Sequence, residues 1–397
     1  MIAADQLDIL FIGTLSPHPG GSSIVSEYLL RGLVALGHRV RALAPTTDWA
    51  REQRDGFIFH HPEIAVTWYR VPHFSSSKSS GSTDLEYLAA EREAVDAMFP
   101  RLLAERKPDV VIVGRESIAW NESLFGKDET FRLVLLVHGG TTFNALDREM
   151  PEIARLLERF GSMDLVITVA RHLMGRLQQL GLSRLCTIPN PVDICRFRPG
   201  FKDRALLQEL GIEANQLVVL HASKLSNVKR PLDLIESAKN ALHQDSRLIY
   251  LIIGNGPCRD SMEEACRRAG IRHAFRFTGW IDHQLMPNFL NLADIVILPS
   301  DSEGQSLVCL EAQACARCVL SSDIPGAREL ITENYTGLLF EKGDLHQMTE
   351  KTLWAAANSN AREAIGRNAR YEVQSHDVEK IVALYATTLQ RVVAARP

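Results

Sequence analysis

No cysteine occurs before position 186, and the 397-residue chain holds only seven. An odd, one-sided set of that kind argues against a disulfide framework and the small stapled folds that need one. Cys315-Ala-Arg-Cys318 has the outward form of a metal half-site. A structural zinc centre needs four ligands, and no second pair stands at a matching spacing. The two cysteines therefore read as small thiols near a helix end, and no metal is expected. Long apolar runs are missing too, so no membrane-spanning helix is expected. The opening MIAADQLDILFIG lacks the basic start and long apolar core of a secretory leader, which points to a cytoplasmic protein. A basic excess is also absent. Residues 1–195 carry 20 Lys/Arg against 24 Asp/Glu, and residues 196–397 carry 24 against 24. Nucleic acid is not the expected partner of such a surface.

What remains is an ordinary globular composition, 46% hydrophobic and 23% charged, on a chain long enough for two domains. Short apolar runs alternate with segments of helical spacing. LDILFIG (7–13), HRVRALAP, PDVVIVG, RLVLLVHGG and MDLVITVA are too rich in Val, Ile and Leu to be half exposed. They read as parallel strands covered on both faces. A loop, TLSPHPGGSS, and a helix over 24–37 follow the first of them. The Pro- and Asn-rich stretch IPNPVDICRFRPG (188–200) has no period and reads as an interdomain link. The pattern then restarts with QLVVLHAS, RLIYLIIGNG, ADIVILPS and RCVLSSD as strands, separated by the helices RPLDLIESAKNAL, CRDSMEEACRRAG and QSLVCLEAQACA. The expected fold is α/β: two doubly wound, Rossmann-like domains facing a central cleft, spanning 1–190 and 191–375. HFSSSKSSGSTD (73–84) reads as a Ser-rich loop, and 377–393 as one amphipathic helix.

In open α/β sheets ligands bind beyond the carboxyl ends of the strands, so residues just after strands matter most. The loop ASKLSNVKRP places Lys224 and Lys229 five apart, ahead of a helix opened by Pro231. Alone, such a pair is a solvated basic loop. In this position it can clamp a diphosphate, because each lysine is a mobile point charge with three donors. The stretch SDSEGQSLVCLEAQACA sets Glu303 before a helix and Glu311 inside it. Either glutamate alone reads as an exposed helix residue. Together they flank a helix start that welcomes an anion, and ionised carboxylates accept from hydroxyl pairs. The frame suits a sugar, a diphosphate and a ribose in sequence.

With these pieces in order, the chain resembles the retaining nucleotide-sugar glycosyltransferases of GT-B fold, family-4 type. The resemblance spans nearly the whole chain and is strongest over 164–340. Glu303 and Glu311 match the family's E-x7-E element, and KLSNVK its basic phosphate loop. IIGNGP, FTGWID, LADIVILPS and TGLLF follow in the family's order, and IPNPVDICRFRP matches its link between domains. The resemblance implies that Glu303 contacts the donor sugar and Glu311 the ribose, and that Lys224 and Lys229 bind the diphosphate. It implies that Gly20 and Gly21 bring backbone amides to the phosphate and acceptor side. Gln305, Ser306 and Leu307 would face the donor sugar, Gly254 would belong to the donor site, and Trp280 and Ile281 would edge the base. His138, which taken alone is a polar strand-end residue, falls where the family keeps a histidine near the reacting centre. The 376–397 helix is expected to pack back on the first domain. Four positions depart from the family's habit and bear on donor identity: Lys224 stands for a more usual Arg, Ala316 and Cys318 for Gly and Pro, and Gln305 for an apolar residue.

The activity so implied is transfer of a sugar, with retention, from a nucleoside-diphosphate donor, UDP first, to an acceptor hydroxyl. Cationic side chains would replace a metal, and no cofactor is required. The acceptor stays open among sugar, small molecule and lipid-linked species; peripheral membrane contact is compatible with the composition. The loop 73–84 and Thr141-Thr142-Phe143 are candidates to meet it. Two rivals share the architecture: a sugar-nucleotide epimerase, and a non-catalytic sugar-nucleotide-binding protein.

Overall fold

A computed structural model describes residues 6–16, 20–46, 59–71, 82–125, 130–139 and 153–395. It divides the chain into two units, one of residues 1–75, 80–191 and 378–397, the other mainly of 192–377. The first holds a seven-stranded parallel sheet: β1 (Asp8–Ile12), β2 (Arg39–Thr46), β3 (Ala65–Arg70), β4 (Val110–Val113), β5 (Arg132–Val137), β6 (Leu165–Thr168) and β7 (Leu185–Thr187), in the order β3-β2-β1-β4-β5-β6-β7. The second holds a six-stranded parallel sheet: β8 (Leu217–Ala222), β9 (Leu248–Ile253), β10 (Phe275–Gly279), β11 (Ile295–Leu298), β12 (Cys318–Ser322) and β13 (Leu338–Phe340), in the order β10-β9-β8-β11-β12-β13. Both are Rossmann-like, doubly wound α/β sheets.

The central strands are buried end to end, as their unbroken apolar runs require: β1, β4, β9, β11 and β12 have no exposed residue. The strand order reverses between β1 and β4 in one sheet and between β8 and β11 in the other. Connections run away from such a switch point on opposite faces, which opens a crevice there for a ligand.

Two local readings change. The first helix runs Gly21–Ala35 rather than from residue 24, with Gly20 as its N-cap at φ +132°. Gly21, Ser22 and Ser23 are thus helical, and their amides are among those a helix start leaves without an intrahelical partner. Gly37, at φ +89°, ends it as a C-terminal glycine should. The segment read as a Ser-rich loop gives way to a helix at Ser82, which continues to Glu105; residues 73–81 lie outside the described ones. The tail helix Val378–Ala394 lies against Gly21–Ala35, where Gly32 is so close to Val382 that an added Cβ would stand 2.6 Å from its methyl carbons.

Candidate active site

In the second unit the crevice is built by two loops, one leaving β8 and one leaving β11. The β8 loop carries Ser223, the exposed Lys224, a 3-10 turn Asn227–Lys229, and Arg230 at φ 47°, ψ 46°. That left-handed conformation costs a non-glycine residue about 1 kcal/mol or more. It is held because Arg230 fastens the two loops together. Nε donates to Asp233 Oδ2 at 2.7 Å and Nη1 to Asp301 Oδ1 at 2.9 Å, while the Asp301 amide donates to the Val228 carbonyl at 2.8 Å. These two carboxylates raise the Arg230 pKa. Pro231 then opens the next helix at a position where its missing N–H costs nothing.

Across this junction Lys229 Nζ donates to Glu303 Oε1 at 2.5 Å, and Ser300 Oγ donates to the same oxygen at 2.7 Å. The lysine side chain is 23% exposed and the glutamate 15%, so the pair is accessible from the crevice. Gly304 and Gln305 are buried behind it. Ser306 caps the helix Leu307–Ala314 by accepting from the Cys309 amide at 3.3 Å, and Leu307, its first residue, is buried.

Below the pair lies His221, fully buried in an otherwise apolar strand end. Its Nδ1 faces the Ile297 carbonyl at 2.9 Å and must donate, since a carbonyl only accepts. Nε2, 2.8 Å from Ser223 Oγ, therefore accepts from that hydroxyl. Burial, with the Lys229 charge pushing the same way, takes the His221 pKa down to about 4. The ring is thus a neutral strut from β11 to the residue before Lys224.

Glycines set the depth of the crevice. An added Cβ at Gly254, at φ +113°, would stand 1.9 Å from the Ser223 carbonyl oxygen, and one at Gly256 2.4 Å from that of Leu225. At Gly326 it would meet the Glu303 carbonyl oxygen at 2.4 Å. Gly254 and Gly256 are the glycines of IIGNGP; here they let the 254–258 turn press on the lysine loop, where Leu225 N donates to Asn255 O.

Glu311 takes a different position from Glu303. It is 2% exposed, and its Oε1 accepts from His283 Nε2 at 2.5 Å. Arg196 Nη2 meets His283 Nδ1 at 2.9 Å. Trp280 is 51% exposed beyond β10, whereas Ile281 packs on the core of this unit.

The first unit holds Gly20, Gly21 and His138. The His138 and Gly139 amides donate to Glu116 Oε1 at 3.1 and 3.2 Å, and burial raises the Glu116 pKa. His138 is half buried, and its Nε2 has no hydrogen-bond partner among the described residues. Burial, then the nearby Arg115 charge, lowers its pKa to about 4, so the imidazole is neutral at pH 7. Beside it Arg115 Nη1 donates to Glu91 Oε1 at 3.1 Å and Tyr87 Oη at 3.0 Å, and Ser117 Oγ donates to Glu91 Oε2 at 3.0 Å. Thr141, Thr142 and Phe143 lie outside the described residues.

Sequence reasoning passed over His221, Arg230, Asp301, Arg196, His283 and Gly326. Asp301 and Arg230 each adjoin a named motif, and His221 is a lone histidine in an apolar run. Cys315 and Cys318 are both buried free thiols that burial pushes up to about 12. No group of three or more His, Cys, Asp or Glu placed to hold a metal occurs among the described residues.

Comparison with known proteins follows the same division into two. The model of the glycosyl transferases group 1 matches residues 202–372, and that of glycosyltransferase family 4 matches residues 19–196. In fold the chain is similar to sucrose-phosphate synthase from Thermosynechococcus elongatus, with a TM-score of 0.80 at 19% identity, covering 98% of this chain and 100% of that one. It is also similar to Anabaena HepE in complex with UDP, with a TM-score of 0.77 at 19% identity, covering 97% and 100%. Among curated relatives, N-acetyl-alpha-D-glucosaminyl L-malate synthase of Bacillus anthracis is 26% identical over 385 residues, 94% of each chain. A D-inositol 3-phosphate glycosyltransferase of Saccharomonospora viridis is 28% identical over 209 residues, 50% of this chain and 48% of that one. The fold is that of the GT-B glycosyltransferases. The chain belongs to this group, as a glycosyltransferase of family-4 type.

Proposed function

We propose that this glycosyltransferase takes its sugar from a nucleoside-diphosphate donor, UDP first, and transfers it with retention and without a metal ion. The observation that carries the reading is the Lys229–Glu303 pair at the β8/β11 switch point, beside the N-terminus of Leu307–Ala314. A diphosphate entering there exchanges places with the Glu303 carboxylate as the partner of Lys229. The released carboxylate accepts from hydroxyls of the sugar. Lys229, Lys224 and the amides at the helix start then stabilise the charge that grows on the leaving diphosphate. Preorganised donors of this kind are each worth roughly 3 kcal/mol of barrier. The acceptor hydroxyl attacks from the side the diphosphate leaves, and a diphosphate oxygen takes its proton. The UDP bound in HepE supports the choice of nucleotide.

Acceptor chemistry rests on a relative that matches 94% of this chain, whose name carries a small hydroxy acid. We place a small hydroxylated molecule ahead of a lipid-linked one. The test is a proton NMR time course with UDP-sugars and a panel of small polyols and hydroxy acids, run with and without EDTA. An α-linked product from an α-linked donor, formed at an unchanged rate in EDTA, is the expected result. An inverted product overturns retention, EDTA-sensitive turnover restored by Mg²⁺ overturns metal independence, and conversion of the donor sugar without an acceptor moves the reading to an epimerase.

A further inference from the structure

We propose that Arg196 and His283 are positioning residues for Glu311, and that their relay fixes how its carboxylate is presented to the ribose of the donor. This rests on the reading of Glu311 as the ribose contact. The three residues come from separate stretches of the second unit: the link ahead of β8, the loop after β10, and the helix after β11. A guanidinium has donors only. With Arg196 Nη2 2.9 Å from Nδ1, that ring nitrogen accepts, and the ring proton lies on Nε2. Nε2 then donates to Glu311 Oε1 at 2.5 Å, so the proton between ring and carboxylate has one direction.

The relay is itself held. The Arg196 guanidinium lies 4.7 Å from the centroid of the Phe197 ring, and the His283 ring 5.4 Å from it. The Arg196 amide donates to Asp193 Oδ1 at 2.9 Å. At 2% exposure the Glu311 carboxylate needs a donor to be stable as an anion, and it has little room to turn. With Oε1 committed to His283, Oε2 is the oxygen offered to a ribose hydroxyl. The relay thereby sets selectivity for ribose over deoxyribose.

The test compares affinities for UDP and 2′-deoxy-UDP by calorimetry. Wild type should favour UDP roughly tenfold or more, the worth of a hydrogen bond to a charged group. Glu311→Ala should bring the ratio close to one. His283→Phe keeps the packing on Phe197 but loses both polar atoms, and its ratio should fall close to that of Glu311→Ala. His283→Gln, whose amide still donates, should recover part of it. Should His283→Phe not fold, Arg196→Met and His283→Gln carry the test, with Arg196→Met expected to lose at least about threefold of the ratio. A wild-type ratio near one, or one unchanged in Glu311→Ala, removes the ribose reading and the relay with it. A ratio that collapses in Glu311→Ala but stays at the wild-type value in His283→Phe, or in Arg196→Met, overturns the relay alone.

Discussion

After β11 the carboxylate of Glu303 meets the ammonium of Lys229; after β4 the guanidinium of Arg115 meets the carboxylate of Glu91. Both pairs sit beside the switch point of their own sheet, and both cations are about equally exposed, 23% and 22%. The difference lies in their other bonds. Glu91 is 2% exposed and binds Arg115, Tyr69 and Ser117, while Arg115 also holds Tyr87. Glu303 has the Lys229 ammonium and one hydroxyl on a single oxygen. A buried carboxylate held by several donors strongly resists losing its partner, and a partly exposed pair can exchange it. One topology thus carries a fixed pair in the first unit and an exchangeable pair in the second.

The sharpest way to break this contrast is to remove the cations. Lys229→Ala should lower kcat/KM by roughly 100- to 1,000-fold with little change in unfolding midpoint. Arg115→Ala should do the reverse, costing about 3 kcal/mol in urea denaturation because the buried Glu91 is left without its cation. A stability loss in the first variant matching that in the second would erase the distinction.

Acid should act on both units through their neutral histidines. The pKa values of His138 and His221 are about 4 when folded and near 6.5 when unfolded. Between these values the unfolded chain binds protons that the folded chain refuses, so stability falls as pH drops from about 6.5 to 4 and levels off below. For fully buried His221 the loss is ~3 kcal/mol. Denaturation of His221→Asn at pH 7 and pH 4.5 should show a smaller decline than wild type.

Glu303→Gln sharpens the contrast more gently. Transfer should fall, yet UDP should bind about two- to fivefold tighter, because Lys229 no longer has a carboxylate to give up. Weaker binding would mean that Glu303 supports the diphosphate site rather than competing for it. The smallest expected effect is at Ala316, which stands at φ 56°, in the left-handed region that glycine adopts without strain. Ala316→Gly should add about 0.5 kcal/mol of stability, the strain relieved less the extra freedom glycine has when unfolded.

What could be read from the sequence divides along the same physical lines. Every central strand was legible, because burial on both faces demands an unbroken apolar run. The strands missed were β3, β7, β10 and β13, which are the edges of the two sheets. AVTWYR and FRFTG carry half-buried residues and a mixed pattern, and LCT and LLF are too short to show a period. At the site, residues next to a strand end or helix start were visible through their motifs. His283, Arg196 and Glu91 were not, because their roles come from partners 28, 87 and 24 positions away. Ala316 was not legible as a strained position, because its left-handed backbone is a matter of conformation that an alanine in the sequence does not signal.

Gly254, Gly256 and Gly326 bear on how the donor preference of this protein could be redesigned. At each, the facing main chain leaves less space than one methyl group occupies. A substitution there would displace a whole recognition segment, and shifts of about 1 Å can cost two orders of magnitude in turnover. Mutagenesis aimed at accepting a new sugar should leave these three untouched and begin with Gln305, which stands beside the Lys229–Glu303 pair and has a side chain that can be exchanged without forcing a Cβ into the facing main chain.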